Sequence, residues 1–146
     1  MDVHIEHLPP LRVAALSARE PDAETAALDG ILNWARAHGY LSEPYRLFGY
    51  DNCLPGPQHR YTAWLTVGLE AIPDHRVQII DFSGGRYAVL RVTGVEQIKA
   101  GWDRLASWVR HNRFRLARQP GLEEHLHLPD APTAQFTLDL YLALVG

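Results

Sequence analysis

Apolar and polar positions along the chain follow one order of periodicities, and the order is written twice. Val3, Ile5 and then Val13, Ala15 recur at every second residue around Pro9-Pro10, the pattern of two short strands joined by a turn. Val77, Ile79 and Tyr87, Val89 repeat it around Ser83-Gly84-Gly85, a stronger turn signal. The period then lengthens. Leu28, Ile31, Leu32 and Ala35 fall at i, i+3, i+4 and i+7 between Pro21-Asp22 and Gly39, which predicts an amphipathic helix with its stop. Ile98, Trp102, Leu105 and Val109 predict a second helix, preceded by Thr93-Gly94-Val95-Glu96 with capping-box spacing. Two more extended runs follow each helix: 45–50 and 61–67 in the first half, 122–127 and 136–144 in the second.

Sliding the chain by 74 residues aligns Trp34 with Trp108, Arg36 with Arg110 and Tyr40 with Phe114. The same offset lays 12–16 on 86–90, and Val3 and Ile5 on Val77 and Ile79, without a gap. So many coincidences in one frame point to an internal duplication. Each half, about 1–70 and 75–146, reads strand, strand, helix, strand, strand. Short connections between strands and one helix per half imply an α+β fold. The expectation is a single domain of two repeated units with pseudo-twofold symmetry, an antiparallel sheet and two main helices.

Composition narrows the function classes. One hundred and forty-six residues with 47% apolar and 21% charged side chains suit one globular domain. Fourteen basic against seventeen acidic residues give a formal charge of −3, which argues against direct nucleic-acid binding. A single cysteine, Cys53, excludes an internal disulfide and multi-cysteine metal patterns and fits a reducing compartment. Cytoplasmic placement is the expectation, because no leader pattern and no long apolar run occurs. No P-loop, dinucleotide glycine motif or nucleophile elbow is present, so no cofactor and no catalytic residue is assigned.

The residues 4–13 (HIEHLPPLRV), 47–52 (LFGYDN), 60–64 (RYTAW), 84–89 (GGRYAV), 122–125 (LEEH) and 138–142 (LDLYL), with the helix carrying Trp102 and Trp108, resemble one known family in order and spacing. It is the GyrI-like small-molecule-binding domain, the effector-binding module of many AraC- and MerR-type bacterial regulators. The resemblance spans essentially the whole chain. It implies two strand-strand-helix-strand-strand units around a pocket for hydrophobic, often cationic or aromatic, compounds. It further implies a pocket glutamate on the strand after the second helix, usually followed two residues later by an aromatic. That pattern falls on Glu123 and His125, with histidine in place of the customary tyrosine. Alternation sets Glu123, His125 and His127 on one face and Glu124 on the other, so one glutamate at most points inward. Glu123 is preferred, and a slip of one residue would nominate Glu124.

Such a site pairs aromatic walls with a carboxylate. Rings supply apolar area at low entropic cost, a cation over a ring gains about 0.5–2 kcal/mol, and the carboxylate selects charge. The walls proposed for ligand binding are Tyr45, Tyr50, Trp64, Tyr87, Trp102 and Tyr141. Trp64 and Tyr141 take comparable places in the last strand of each half once the offset grows by three residues. The plain alternative for each is packing: Trp102 lies on its helix's apolar stripe, and aromatics in sheets ordinarily serve the core. Glu123, His125 and His127 as a metal triad is disfavoured, since ligands along one strand do not converge without bending.

The leading expectation is a stand-alone sensor or sequestering module for a drug-like ligand. With strands from about Val3 onward, this reading leaves no room for a DNA-binding segment, so transcription regulation would need a partner regulator. A hydrolase of reactive small molecules using a pocket glutamate is the alternative. A protein inhibiting DNA gyrase directly is a further one.

Overall fold

Strands and helices form where the two periodicities place them. The chain, described here by a computed structural model, is placed at residues 2–19, 21–127 and 131–146. It runs β1 (His4–Leu8), β2 (Leu11–Arg19), α1 (Ala23–His38), β3 (Leu47–Asp51), β4 (Arg60–Thr66), β5 (Gln78–Phe82), β6 (Gly85–Thr93), α2 (Ile98–His111), β7 (Leu122–His125) and β8 (Thr137–Ala143). Short 3-10 turns lie at Gly56–Gln58, Val95–Gln97 and Thr133–Gln135. The fold is α+β, with antiparallel pairing wherever registers are described.

Partners are not the ones that chain order offers. β1 does not pair with β2 as a hairpin; it pairs with β6, His4 opposite Val89 and Leu8 opposite Gly85. β5 pairs with β2 instead, Val13 opposite Ile80. The first strand of each half has thus been exchanged. Two compact units result: a C-terminal unit of Met1–Pro9 with Gly84–Gly146, and an N-terminal unit of Pro10–Ser83. The C-terminal unit carries strands in the order β1-β6-β8-β7, and the N-terminal unit carries β5-β2-β4-β3.

Registers establish the repeat residue by residue. In the N-terminal unit Ala15 stands opposite Trp64 and Ser17 opposite Thr62, while Phe48 faces Trp64 and Tyr50 faces Thr62. In the C-terminal unit Val89 stands opposite Tyr141 and Arg91 opposite Asp139, while Leu122 faces Tyr141 and Glu124 faces Asp139. The equivalences are therefore Ser17 with Arg91, Thr62 with Asp139, Trp64 with Tyr141 and Tyr50 with Glu124. The offset grows from 74 to 77 between Tyr50 and Thr62, because the β7–β8 connection is longer than the β3–β4 connection.

Each helix covers one face of its own sheet. α1 buries Ala27, Ile31, Leu32 and Ala35 against Ala14, Leu16, Ala63 and Leu65. It stops at Gly39, whose φ of 74° is the left-handed cap a glycine adopts freely, with Tyr40 N–H donating back to the Ala35 carbonyl at 2.8 Å. α2 buries Leu105 and Val109 against Ala88, Leu90, Leu138 and Leu140. Its Gly101 permits close approach to the sheet: a Cβ there would meet Val92 Cγ1 at 2.6 Å and Leu140 Cδ1 at 2.9 Å. The capping-box spacing at Thr93–Glu96 is unused. Thr93 stays in β6 opposite Thr137, and neither the 3-10 turn nor α2 has a side-chain cap. The aligned aromatics are structural: Trp34 packs on Tyr40 at 5.3 Å and Trp108 stacks on Phe114 at 5.6 Å.

Candidate functional site

A strand shows alternate residues to opposite faces, so once a helix claims one face the other is defined. In the C-terminal unit α2 takes the face of Ala88, Leu90 and Leu140. The opposite face then presents Tyr87, Val89 and Arg91 of β6, Asp139 and Tyr141 of β8, and Leu122 and Glu124 of β7. Tyr87 and Tyr141 are each only 1% exposed, and Glu124 and Asp139 are 6% and 7% exposed.

Buried charge demands partners, and this face supplies them. The Tyr141 hydroxyl donates to Glu124 Oε1 at 2.7 Å. The Arg91 guanidinium donates to both oxygens of Asp139, Nε to Oδ1 at 2.9 Å and an Nη to Oδ2 at 3.2 Å. This fork holds the arginine in its charged form, the Asp139 hydrogen bond raising its pKa. Arg91 thereby answers Asp139, and the nearby Glu124 carboxylate adds to the field that keeps it charged. Tyr87 meets Tyr141 edge to face at 5.7 Å and donates its hydroxyl to Gln119 Oε1 at 3.4 Å. Burial pushes the Tyr87 phenol pKa up, so it stays a donor at neutral pH.

The glutamate preferred from the sequence lies elsewhere. Glu123 is half-buried on the α2 side, where Trp102 Nε1 approaches its Oε2 at 3.4 Å. Trp102 itself packs on the α2 core. His125 shares the face of Glu123, with the His127 ring against it at 5.6 Å and 78°. Burial, helped by the neighbouring His127, lowers the His125 pKa to about 4. His127 in turn stacks on Phe136 at 4.0 Å.

Tyr50 and Trp64 occupy the equivalent face of the N-terminal unit, the one opposite α1, and meet edge to face at 5.5 Å. Phe82 extends that cluster, 5.3 Å from Trp64. The buried Trp64 indole N–H meets no acceptor among the described residues. Tyr45 is apart from them, packed against the α1 core. The eight residues singled out from sequence therefore fall into separate groups. Tyr87 and Tyr141 stand together opposite α2, Tyr50 and Trp64 together opposite α1, and the other four lie on the helix-covered sides. Asp139, Arg91 and Gln119 went unnoticed, although alternation through Tyr141 could have located Asp139. Among the described residues no group of three His, Cys, Asp or Glu side chains could hold a metal ion, and no helix is long and apolar enough to cross a membrane.

Solved structures share this fold at low identity. The EcmrR C-terminal domain superposes with a TM-score of 0.81 at 10% identity, over 99% of this chain and 97% of that one. This chain spans only 57% of the longer EcmrR chain seen in a complex with DNA, with a TM-score of 0.80, 10% identity and 98% of this chain covered. SAV2435 bound to tetraphenylphosphonium gives 0.61 at 10% identity over 100% of this chain and 95% of that one. A hydrolase from Listeria innocua gives 0.72 at 13% identity over 99% and 92%. Among curated proteins none matches. The family described as a GyrI-like small molecule binding domain matches residues 1–145, and the chain belongs to that GyrI-like family.

Proposed function

We propose that this chain binds a hydrophobic organic cation through the Glu124, Tyr141 and Tyr87 face of its C-terminal unit, and acts as a sensor or sequestering module. The observation that carries this reading is the buried Glu124 carboxylate, held by the Tyr141 hydroxyl at 2.7 Å beside two nearly inaccessible tyrosine rings. A cationic guest brings positive charge to the Glu124 carboxylate, and the rings replace its hydration. The tetraphenylphosphonium bound by SAV2435, a protein of the same fold, has that chemistry. A sensor would pass occupancy to a regulator chain, whereas a sequestering module needs no partner. The test is a titration with tetraphenylphosphonium and, in parallel, neutral triphenylphosphine oxide, followed by tryptophan fluorescence. Saturable binding at least about tenfold tighter for the cation, equal to about 1.4 kcal/mol, is expected. Equal affinities would remove the role given to Glu124.

A second reading is hydrolysis of a reactive ligand, favoured by the same short Tyr141–Glu124 contact, an arrangement able to hold and move a proton. Fold neighbours named as hydrolases agree with it. Product formation from an electrophilic substrate by wild type and not by Glu124→Gln would select this reading.

A further inference from the structure

The duplicated face of the N-terminal unit has lost its acids. Where the C-terminal unit places Glu124, Asp139 and Arg91, the equivalent positions hold Tyr50, Thr62 and Ser17. Ser17 Oγ and Thr62 Oγ1 are hydrogen-bonded at 2.7 Å, a neutral pair standing where the other unit has its ionic fork. A depression of about 340 Å³ opens on this face, lined wholly by residues of the N-terminal unit. Its lining contains Arg60, Arg76 and His75 and no aspartate or glutamate.

The strand register adds a second feature that points to an anion. Arg60, at the start of β4, stands directly opposite Arg19, at the end of β2. Directly opposed residues share a face, so both arginines lie on the side of Ser17 and Thr62. Like charges so placed repel and destabilise the pair. Neither guanidinium meets a carboxylate among the described residues. Asp51 and Asp74 are committed elsewhere: Asp51 accepts from the Cys53 N–H, and Asp74 accepts from Trp34 Nε1 and from the backbone of Arg76 and Val77.

We infer that this face of the N-terminal unit holds a small polar oxyanion, a carboxylate or a phosphate. Arg60 holds it from the lining with Arg19 opposite at the end of β2, and the Ser17, Thr62 and Tyr50 hydroxyls complete its shell. An anion between the two guanidiniums converts a repulsion into two charge-assisted contacts. A volume of about 340 Å³ suits a small metabolite more than a polymer.

The experiment is calorimetry of the full chain at low ionic strength with inorganic phosphate, phenyl phosphate and benzoate in parallel, the phosphate and benzoate arms separating the two sources. Saturable binding of at least one is expected, weakening with added salt and about tenfold poorer in Arg60→Gln. In low-salt buffer free of multivalent anions, Arg19→Gln is expected to raise Tm, and the anion bound by wild type is expected to raise the wild-type Tm but not that of the Arg19→Gln/Arg60→Gln double variant. No saturable heat with any of the three, or full affinity in the double variant, overturns the assignment.

Discussion

Tyr141 and Glu124 are diagonal neighbours on paired strands, joined by a hydrogen bond of 2.7 Å on a face where each is almost wholly buried. Removing the hydroxyl leaves a buried carboxylate with one donor fewer, a loss of about 1–3 kcal/mol. Tyr141→Phe is therefore expected to lower the urea midpoint with an unchanged slope. An unaltered midpoint would mean that this contact contributes nothing to folding.

His125 makes stability depend on pH. Its pKa is about 4 in the folded chain and 6.5 in the unfolded one, so between those values the unfolded chain binds more protons. Stability from this group is complete above pH 6.5 and is lost as pH falls toward 4, by about 3 kcal/mol at most. Below pH 4 it changes no further. Urea denaturation of wild type and His125→Gln at pH 7 and pH 4.5 should show the wild-type advantage shrinking with acid; parallel losses in both proteins would assign the pH dependence to other groups.

Two helix glycines, Gly30 in the middle of α1 and Gly101 in the first turn of α2, should respond oppositely to alanine. At Gly30 a Cβ meets Leu16 methyls at 3.4 and 3.5 Å, ordinary contact, so Gly30→Ala is expected to gain up to about 1 kcal/mol from helix propensity. At Gly101 the Cβ would press on Val92 and Leu140 at 2.6 and 2.9 Å. Overpacking of about 1–3 kcal/mol exceeds the propensity gain there, so Gly101→Ala is expected to lose stability. Thermal melts of the two variants give the sign directly.

Local periodicity made the elements legible, because a strand or helix writes its period into a few consecutive residues. The repeat was legible for the same reason, down to the equivalence of Trp64 with Tyr141. Partner choice was not. Nothing within 3–16 distinguishes β1 pairing with β2 from β1 pairing with β6 some 80 residues away, since a strand's edge bonds carry no sequence label. The inward glutamate failed to show for a related reason. Alternation separates Glu123 from Glu124 but cannot say which face the helix covers, and that is decided by the packing of Leu105 and Val109 onto Leu138 and Leu140.

The assignment of Glu124 rests on that packing, and calorimetric titration of tetraphenylphosphonium into wild type, Glu124→Gln and Glu123→Gln probes it without intermediaries. Loss of about tenfold or more in affinity for Glu124→Gln, with Glu123→Gln close to wild type, is the expected pattern. The reverse ranking, or three equal affinities, would contradict it.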